Sequence, residues 1–199
     1  MGAVEELLAV AARRPRNGAY PTVCVDGRGG SGKTTLAGLL AQRLERYAVV
    51  HGDDYFAPHD DPLTWGDFDE DRFAADVLSR VRAGERSIPV QPFDFPAGRL
   101  GGVRPVRVER GLIVERWFGF GLDAPWDVRI WVETPAEECL RRGLARDGGV
   151  ALGERARLAW TTVWQPREQA YIDRLRPHDV ADLVLDGTQP FPAQLDERA

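Results

Sequence analysis

Cysteine is scarce. Cys24 and Cys139 are the only two in 199 residues, one inside an apolar run and the other in a helical pattern. A disulfide framework is therefore not indicated, and both are expected as buried reduced thiols in a cytoplasmic setting. Long basic runs are also missing and the formal net charge is -5, which argues against a nucleic-acid partner with its dense phosphate charge. No apolar stretch approaches the length needed to span a bilayer, so no membrane partner is expected. Met1 to Arg14 carries Glu5 and Glu6 and reads as a surface helix rather than a signal peptide. The histidines and cysteines form no group at zinc-site spacing, and there is no internal repeat.

With 43% hydrophobic and 29% charged residues, the chain reads as one globular domain over residues 1–199. Thr22-Val23-Cys24-Val25 is an apolar run that predicts a buried strand, and from Lys33 to Tyr47 the residues Leu36, Leu39, Leu40 and Leu44 recur at helical spacing. Ala48 to His51 predicts a second strand, with Asp53 and Asp54 at its end. Asp69 to Ala83 predicts a helix with Phe73, Val77, Leu78 and Val81 inside. Gly111 to Glu115 and Val128 to Val132 predict further buried strands. Thr134-Pro135-Ala136-Glu137 predicts a capped helix start toward Asp147, and a second helical stretch covers about residues 152–175. Ala181 to Gly187 predicts a last strand, followed by a loosely held proline-rich tail. Strands alternating with helices predict an α/β three-layer sandwich around a mainly parallel sheet of about five strands. Two segments, about 55–68 and 89–102, are rich in proline, glycine, aspartate and aromatics and are expected as excursions over a ligand.

One motif carries the functional argument. Gly27-Arg28-Gly29-Gly30-Ser31-Gly32-Lys33-Thr34 fits G-x-x-x-x-G-K-[ST] between a predicted strand and a predicted helix, the context a phosphate-binding loop requires. Glycines let backbone N–H groups turn toward phosphates, and the helix N-terminus adds its positive end. Gly27, Gly29, Gly30, Ser31, Gly32, Lys33, Thr34 and Thr35 are the expected cradle for ATP. Lys33 is expected on the β- and γ-phosphate oxygens and the Thr34 hydroxyl on Mg2+. Other phosphate-loop classes fare worse. The only asparagine, Asn17, lies ahead of the loop, so the guanine-reading Asn-Lys-x-Asp element of GTPases is missing. The Leu-Ser-Gly-Gly signature of transporter ATPases is missing too.

Val25-Asp26-Gly27 leading into the loop, Gly52-Asp53-Asp54-Tyr55-Phe56, Gln91-Pro92-Phe93-Asp94-Phe95 and Leu112-Ile113-Val114-Glu115 together resemble the uridine kinase family of P-loop kinases. Arg141-Arg142-Gly143-Leu144-Ala145-Arg146-Asp147 looks like that family's arginine-rich lid, expected over about 141–157. The resemblance runs from about Thr22 to Gly187. It implies phosphoryl transfer from ATP to a hydroxyl of a small molecule. It also implies that Asp53 accepts or orients the hydroxyl proton and that Glu115, with Thr34 and Asp53, manages Mg2+. Arg142 and Arg146, four residues apart on one helix face, are then lid cations on the transferring phosphate.

Asp54, Tyr55, Phe93, Phe95, Arg116 and Trp117 are the candidate acceptor-side residues. Trp65 and Trp126 are expected near that side as well, while Trp131, Trp160 and Trp164 are expected in the core. Departures from the family fall on the acceptor side. An Asp-His-Pro stretch and a histidine after the Tyr-Asp-Phe element are replaced by Leu63-Thr64-Trp65-Gly66-Asp67 and Phe93-Asp94-Phe95-Pro96. The usual Glu-Gly after the fourth motif becomes Glu115-Arg116, followed by Trp117 and Phe118. The acceptor is accordingly open between a nucleoside and a vitamin precursor, sugar or antibiotic. A nucleotide-binding regulatory protein without transfer is the other reading, and a homo-oligomer is compatible with either.

Overall fold

Residues 2–11, 20–57, 68–95, 97–124, 126–147 and 153–196 are described by the computed structural model. Helix α1 (Ala3–Ala11) precedes β1 (Thr22–Gly27), every residue of which is buried. The phosphate loop follows, then α2 (Lys33–Arg43) and β2 (Tyr47–His51). A single 3-10 turn, Gly52–Tyr55, carries the acidic pair. Next, α3 (Glu70–Phe73) continues through a π-helical segment, Ala74–Leu78, into α4 (Ser79–Arg82). Asp69 caps this helix by accepting the Arg72 N–H at 3.0 Å. The expected inner face of Phe73, Val77, Leu78 and Val81 is buried.

The expected excursion at 89–102 is more regular than its composition suggests. Strand β3 (Ser87–Val90) pairs antiparallel with β6 (Arg104–Arg107), and between them β4 (Phe93–Asp94) and β5 (Arg99–Leu100) form a short hairpin. Pro89 faces Pro105 in this ribbon; neither donates a ladder hydrogen bond, which a two-stranded edge ribbon tolerates. The 55–68 excursion is closed at its base by an isolated bridge between Phe56 and Phe68, and residues 58–67, with Trp65, lie outside the described residues.

Strands β7 (Gly111–Glu115) and β8 (Val128–Glu133) follow, then α5 (Ala136–Asp147). Next come α6 (Gly153–Ala159), a π-helical segment Trp160–Trp164, α7 (Gln165–Leu175), α8 (Pro177–Val180) and β9 (Leu183–Asp186). The main sheet has the order β2-β7-β1-β8-β9, and all four pairings are parallel. One core layer packs Leu36, Leu40, Val23, Val25 and Ile130 between the sheet and α1, α2 and the C-terminal helix α9 (Phe191–Asp196). The other packs Phe73, Val77, Leu112, Val114 and Trp131 on the opposite face. The α/β three-layer expectation is met, with five parallel strands.

Two expectations need correction. The tail after β9 is folded: α9 (Phe191–Asp196) buries Phe191 and Leu195 in the α1–α2 layer. Pro192 sits in its first turn, where a fixed φ and a missing N–H cost nothing. Trp126 belongs to the core rather than the acceptor side. It is 6% exposed and its indole N–H donates to the Gly119 carbonyl at 3.0 Å. The N-terminal helix is amphipathic, with Val4 and Leu8 buried, and Arg43 bridges Glu5 and Asp196 to tie α1, α2 and α9 together. Among the described residues no helix is long and apolar enough to cross a membrane.

Candidate active site

The carboxyl ends of β1, β2 and β7 converge on the N-terminus of α2, where a parallel sheet collects its ligands. Gly30 adopts φ 75, and a Cβ there would meet the Cys139 carbonyl oxygen at 2.5 Å. Only glycine lets the loop pass α5 at this point. Lys33, the chain's only lysine, is 9% exposed and its Nζ donates to the carbonyls of Gly27 at 3.0 Å and Arg28 at 2.8 Å. Its ammonium thus lies along the loop. Thr34 and Thr35 are exposed in the first turn of α2.

Distant residues brace the loop, and these sequence reasoning missed as functional. Asp26 is fully buried; it accepts the Tyr171 hydroxyl at 2.6 Å, the Phe120 N–H at 3.0 Å and the Gly27 N–H at 2.7 Å. Burial raises its pKa above the ordinary aspartate value, against the pull of those three donors and of Lys33. From α7, buried Glu168 accepts the Gly29 N–H at 2.7 Å and lies 3.6 Å from Arg28, whose guanidinium also donates to Gln169 at 2.5 Å. Burial likewise raises the Glu168 pKa. On the other side the Thr134 hydroxyl donates to the Ser31 carbonyl at 3.0 Å, so the residue expected to cap α5 serves the loop instead. Glu168→Ala leaves a buried N–H without a partner. It is expected to cost about 1–3 kcal/mol, read as a lower thermal midpoint together with a raised KM for ATP, whereas Glu168→Gln keeps an acceptor and is milder.

Trp160 is the wedge between loop and lid helix. A Cβ on Gly29 would lie 2.8 Å from its ring, and one on Gly143 of α5 would run into the same indole. Trp160 packs edge-on against Trp164 with centroids 5.0 Å apart, so a second indole backs the ring. Gly143→Ala is therefore expected to destabilise the protein by about 1–3 kcal/mol. The measurement is the urea midpoint, with partial recovery expected in Gly143→Ala/Trp160→Phe.

Three oxygen-bearing side chains face the head of α2. Glu115, at the end of β7, is 5% exposed; its Oε1 lies 3.3 Å from the Thr34 hydroxyl and 2.7 Å from His51 Nδ1. That contact, before any other cause, raises the His51 pKa above its ordinary value. Asp53 reaches solvent in the cleft yet is crowded by protein, and this crowding, then the Glu115 charge, raises its pKa above 3.8. Lys33, Arg146 and His51 pull it the other way. No group of three or more His, Cys, Asp or Glu side chains among the described residues is arranged to hold an ion by itself. Mg2+ does not need one, since it keeps waters and phosphate oxygens and takes one or two carboxylates. The hard oxygen donors of Thr34, Glu115 and Asp53 fit that habit.

Arg142 on α5 donates to the Gly187 carbonyl at 3.0 Å and, at 3.5 Å, to the Ser31 carbonyl of the loop, while Glu138 holds its Nε at 2.7 Å. Arg146 is exposed one turn further on. Of the expected lid, residues 148–152 lie outside the described residues.

Beside Asp53 a cleft of about 170 Å³ is lined by Gly52, Phe56, Phe68, Glu70, Arg116 and Trp117, with Phe118 and Arg167 completing the wall. Arg116 and Trp117 thus come to Asp53 as expected. Tyr55, Phe93 and Phe95 do not line it. Tyr55 is fully buried in the core under Arg72, and Phe93 and Phe95 pack with Phe56 at centroid distances of 5.0–6.3 Å. Asp54 pairs with Arg104 at 3.0 Å.

No protein-family profile matches the chain. Over 122 residues it is 32% identical to nicotinamide riboside kinase 1 of Rattus norvegicus and 31% identical to that of Mus musculus. The match takes in 58% of this chain and spans about 60% of the length of those relatives. Among solved structures, a possible uridine kinase from Bacillus stearothermophilus superposes with a TM-score of 0.63 at 17% identity, over 92% of this chain and 97% of that one. A candidate fructose transport system kinase from Silicibacter sp. TM1040 gives a TM-score of 0.66 at 21% identity with the same coverage. The chain has the fold of the uridine kinase-like P-loop kinases.

Proposed function

We propose that the protein transfers the γ-phosphoryl group of Mg-ATP to a hydroxyl of a small molecule, a nucleoside or nucleoside-like metabolite bound in the cleft beside Asp53. The observation that carries this reading is the placement of Thr34, directly after Lys33, 3.3 Å from Glu115, with Asp53 at the end of the neighbouring strand. This supports a common place for donor phosphates, divalent ion and acceptor hydroxyl at the carboxyl ends of β1, β7 and β2. The 32% identity to nicotinamide riboside kinase 1 supports the same chemistry. The two buried free cysteines fit a cytoplasmic setting.

In this reading Lys33 and the loop N–H groups hold the β- and γ-phosphates. Asp53 takes the proton of the acceptor hydroxyl as its oxygen bonds to the γ-phosphorus and the bond to ADP breaks. When bound, Mg2+ offsets charge on the phosphate oxygens, held through Thr34, Glu115 and Asp53. Arg146, which already acts on Asp53 through its charge, and Arg142 stabilise the group in transit. The test is ADP release with Mg-ATP across a panel of nucleosides, vitamin precursors, sugars and hydroxylated antibiotics. Acceptor-dependent release supports the reading; ATP binding without release for any acceptor favours a regulatory nucleotide-binding protein.

A further inference from the structure

Arg116 is the most unusual charge in the molecule. It stands directly after Glu115, is 2% exposed, and forms no ion pair with any described residue. Its Nε donates to the Trp117 carbonyl at 3.0 Å and its guanidinium lies 3.5 Å from the centroid of Phe68, with Phe73 at 5.3 Å. Its Nη1 has no hydrogen-bond partner, and neither does the indole N–H of Trp117 beside it. As an arginine, Arg116 is a cation at neutral pH. A buried cation with an unpaired N–H is destabilising unless an anion completes it. Cation–π contact with Phe68 offsets only part of that.

Both orphan donors belong to residues that line the Asp53 cleft, together with the aromatic walls of Phe56, Phe68 and Phe118. Trp117 and Phe118 stack at 4.1 Å, and Phe118 holds a left-handed φ of 63, so the turn bearing these groups is set by packing. The charged residues lining the cleft are Asp53 and Glu70 against Arg116 and Arg167, and of these Arg116 is the buried one.

From this arrangement we infer that the acceptor carries an anionic oxygen group, a carboxylate, which Arg116 and the Trp117 indole N–H bind while the hydroxyl of the same molecule meets Asp53. Arg116 is then the residue that decides specificity between acidic and neutral acceptors. A guanidinium binds a carboxylate with charge-assisted hydrogen bonds roughly twice as strong as those to a neutral carbonyl. The inference rests on the proposed transfer reaction and narrows its acceptor.

Matched pairs that differ only in this group provide the test: nicotinic acid riboside against nicotinamide riboside, orotidine against uridine, and pantothenate against pantothenol. For whichever scaffold is phosphorylated, the acid is expected to exceed its neutral partner in kcat/KM by about tenfold or more. Arg116→Met and Arg116→Gln are expected to bring that ratio to one or below. Both members of a pair are assayed on the same preparation, so the ratio is insensitive to the fraction of enzyme folded. A neutral acceptor that matches or beats its acid in the unaltered protein overturns the inference and leaves the transfer reaction standing, as does a ratio unmoved by both substitutions. If no member of any pair or of the wider panel is phosphorylated while ATP binds, the transfer reading falls and the inference falls with it.

Discussion

Replacing Lys33 by alanine is expected to lower acceptor phosphorylation by about two to three orders of magnitude, the usual loss on removing one preorganised electrostatic donor from a transition state. Lys33 Nζ donates to the carbonyls of Gly27 and Arg28, its charge eases the burial of Asp26 and Glu168, and alanine keeps the helix propensity of α2. The loss of kcat should therefore far exceed what the fall in thermal midpoint accounts for. The composition gives an independent check. Lys33 is the only lysine, so an amine-directed reagent labels it and the N-terminus alone. Mg-ATP should protect the Lys33 site, and Lys33→Ala should lack that adduct altogether. Labelling that is indifferent to Mg-ATP would place the phosphates elsewhere.

The second large effect concerns Asp53. Asp53→Asn keeps size and hydrogen-bonding ability but cannot accept a proton, and kcat is expected to fall by about 10²–10⁴-fold with ATP still bound. The pH dependence follows from the direction of its shift. Asp53 must be ionised to act, and crowding in the cleft together with the Glu115 charge raises its pKa above 3.8. The acid limb of kcat should therefore lie at higher pH than an ordinary aspartate gives: activity falls as pH drops through the raised pKa and is complete above it. His51 complicates only the same limb, since its pKa is raised through Glu115. His51→Gln separates the two, because a limb that persists in this variant and disappears in Asp53→Asn belongs to Asp53. Normal turnover by Asp53→Asn would remove Asp53 from its assigned role.

How much of this was legible in the sequence depended on the range of the forces involved. Strand β1, the loop and α2 were readable because glycine spacing and apolar period are local signals, and they fix the position of Lys33 and Thr34. Glu115 was readable as a carboxylate ending an apolar run. The brace behind the loop was not. Glu168 meets Gly29 across 139 residues of sequence, and a glutamate in an amphipathic helix looks like any solvent-facing one. Trp160 gave half a signal, since its spacing to Trp164 marked a buried face but not the two glycines that receive it. The β3–β6 and β4–β5 pairs were hidden because prolines usually argue against strands, a rule that edge ribbons escape. Tyr55, read with its acidic neighbours as acceptor-side, turns inward because the 3-10 turn Gly52–Tyr55 points Asp53 and Tyr55 to different sides. Arg116 was visible as a departure from the family pattern, but its burial and missing anion only the fold could reveal.

Transfer to an acceptor, as opposed to ATP binding or hydrolysis, is tested by following the phosphoryl group itself. With ATP carrying an isotopic label on its γ-phosphate, the protein, Mg2+ and the acceptor panel, mass spectrometry should find the label esterified to an acceptor hydroxyl. ADP should form in equal amount, and both products should be lost in Lys33→Ala. Label appearing only as inorganic phosphate, or remaining in ATP with every acceptor, would contradict the account.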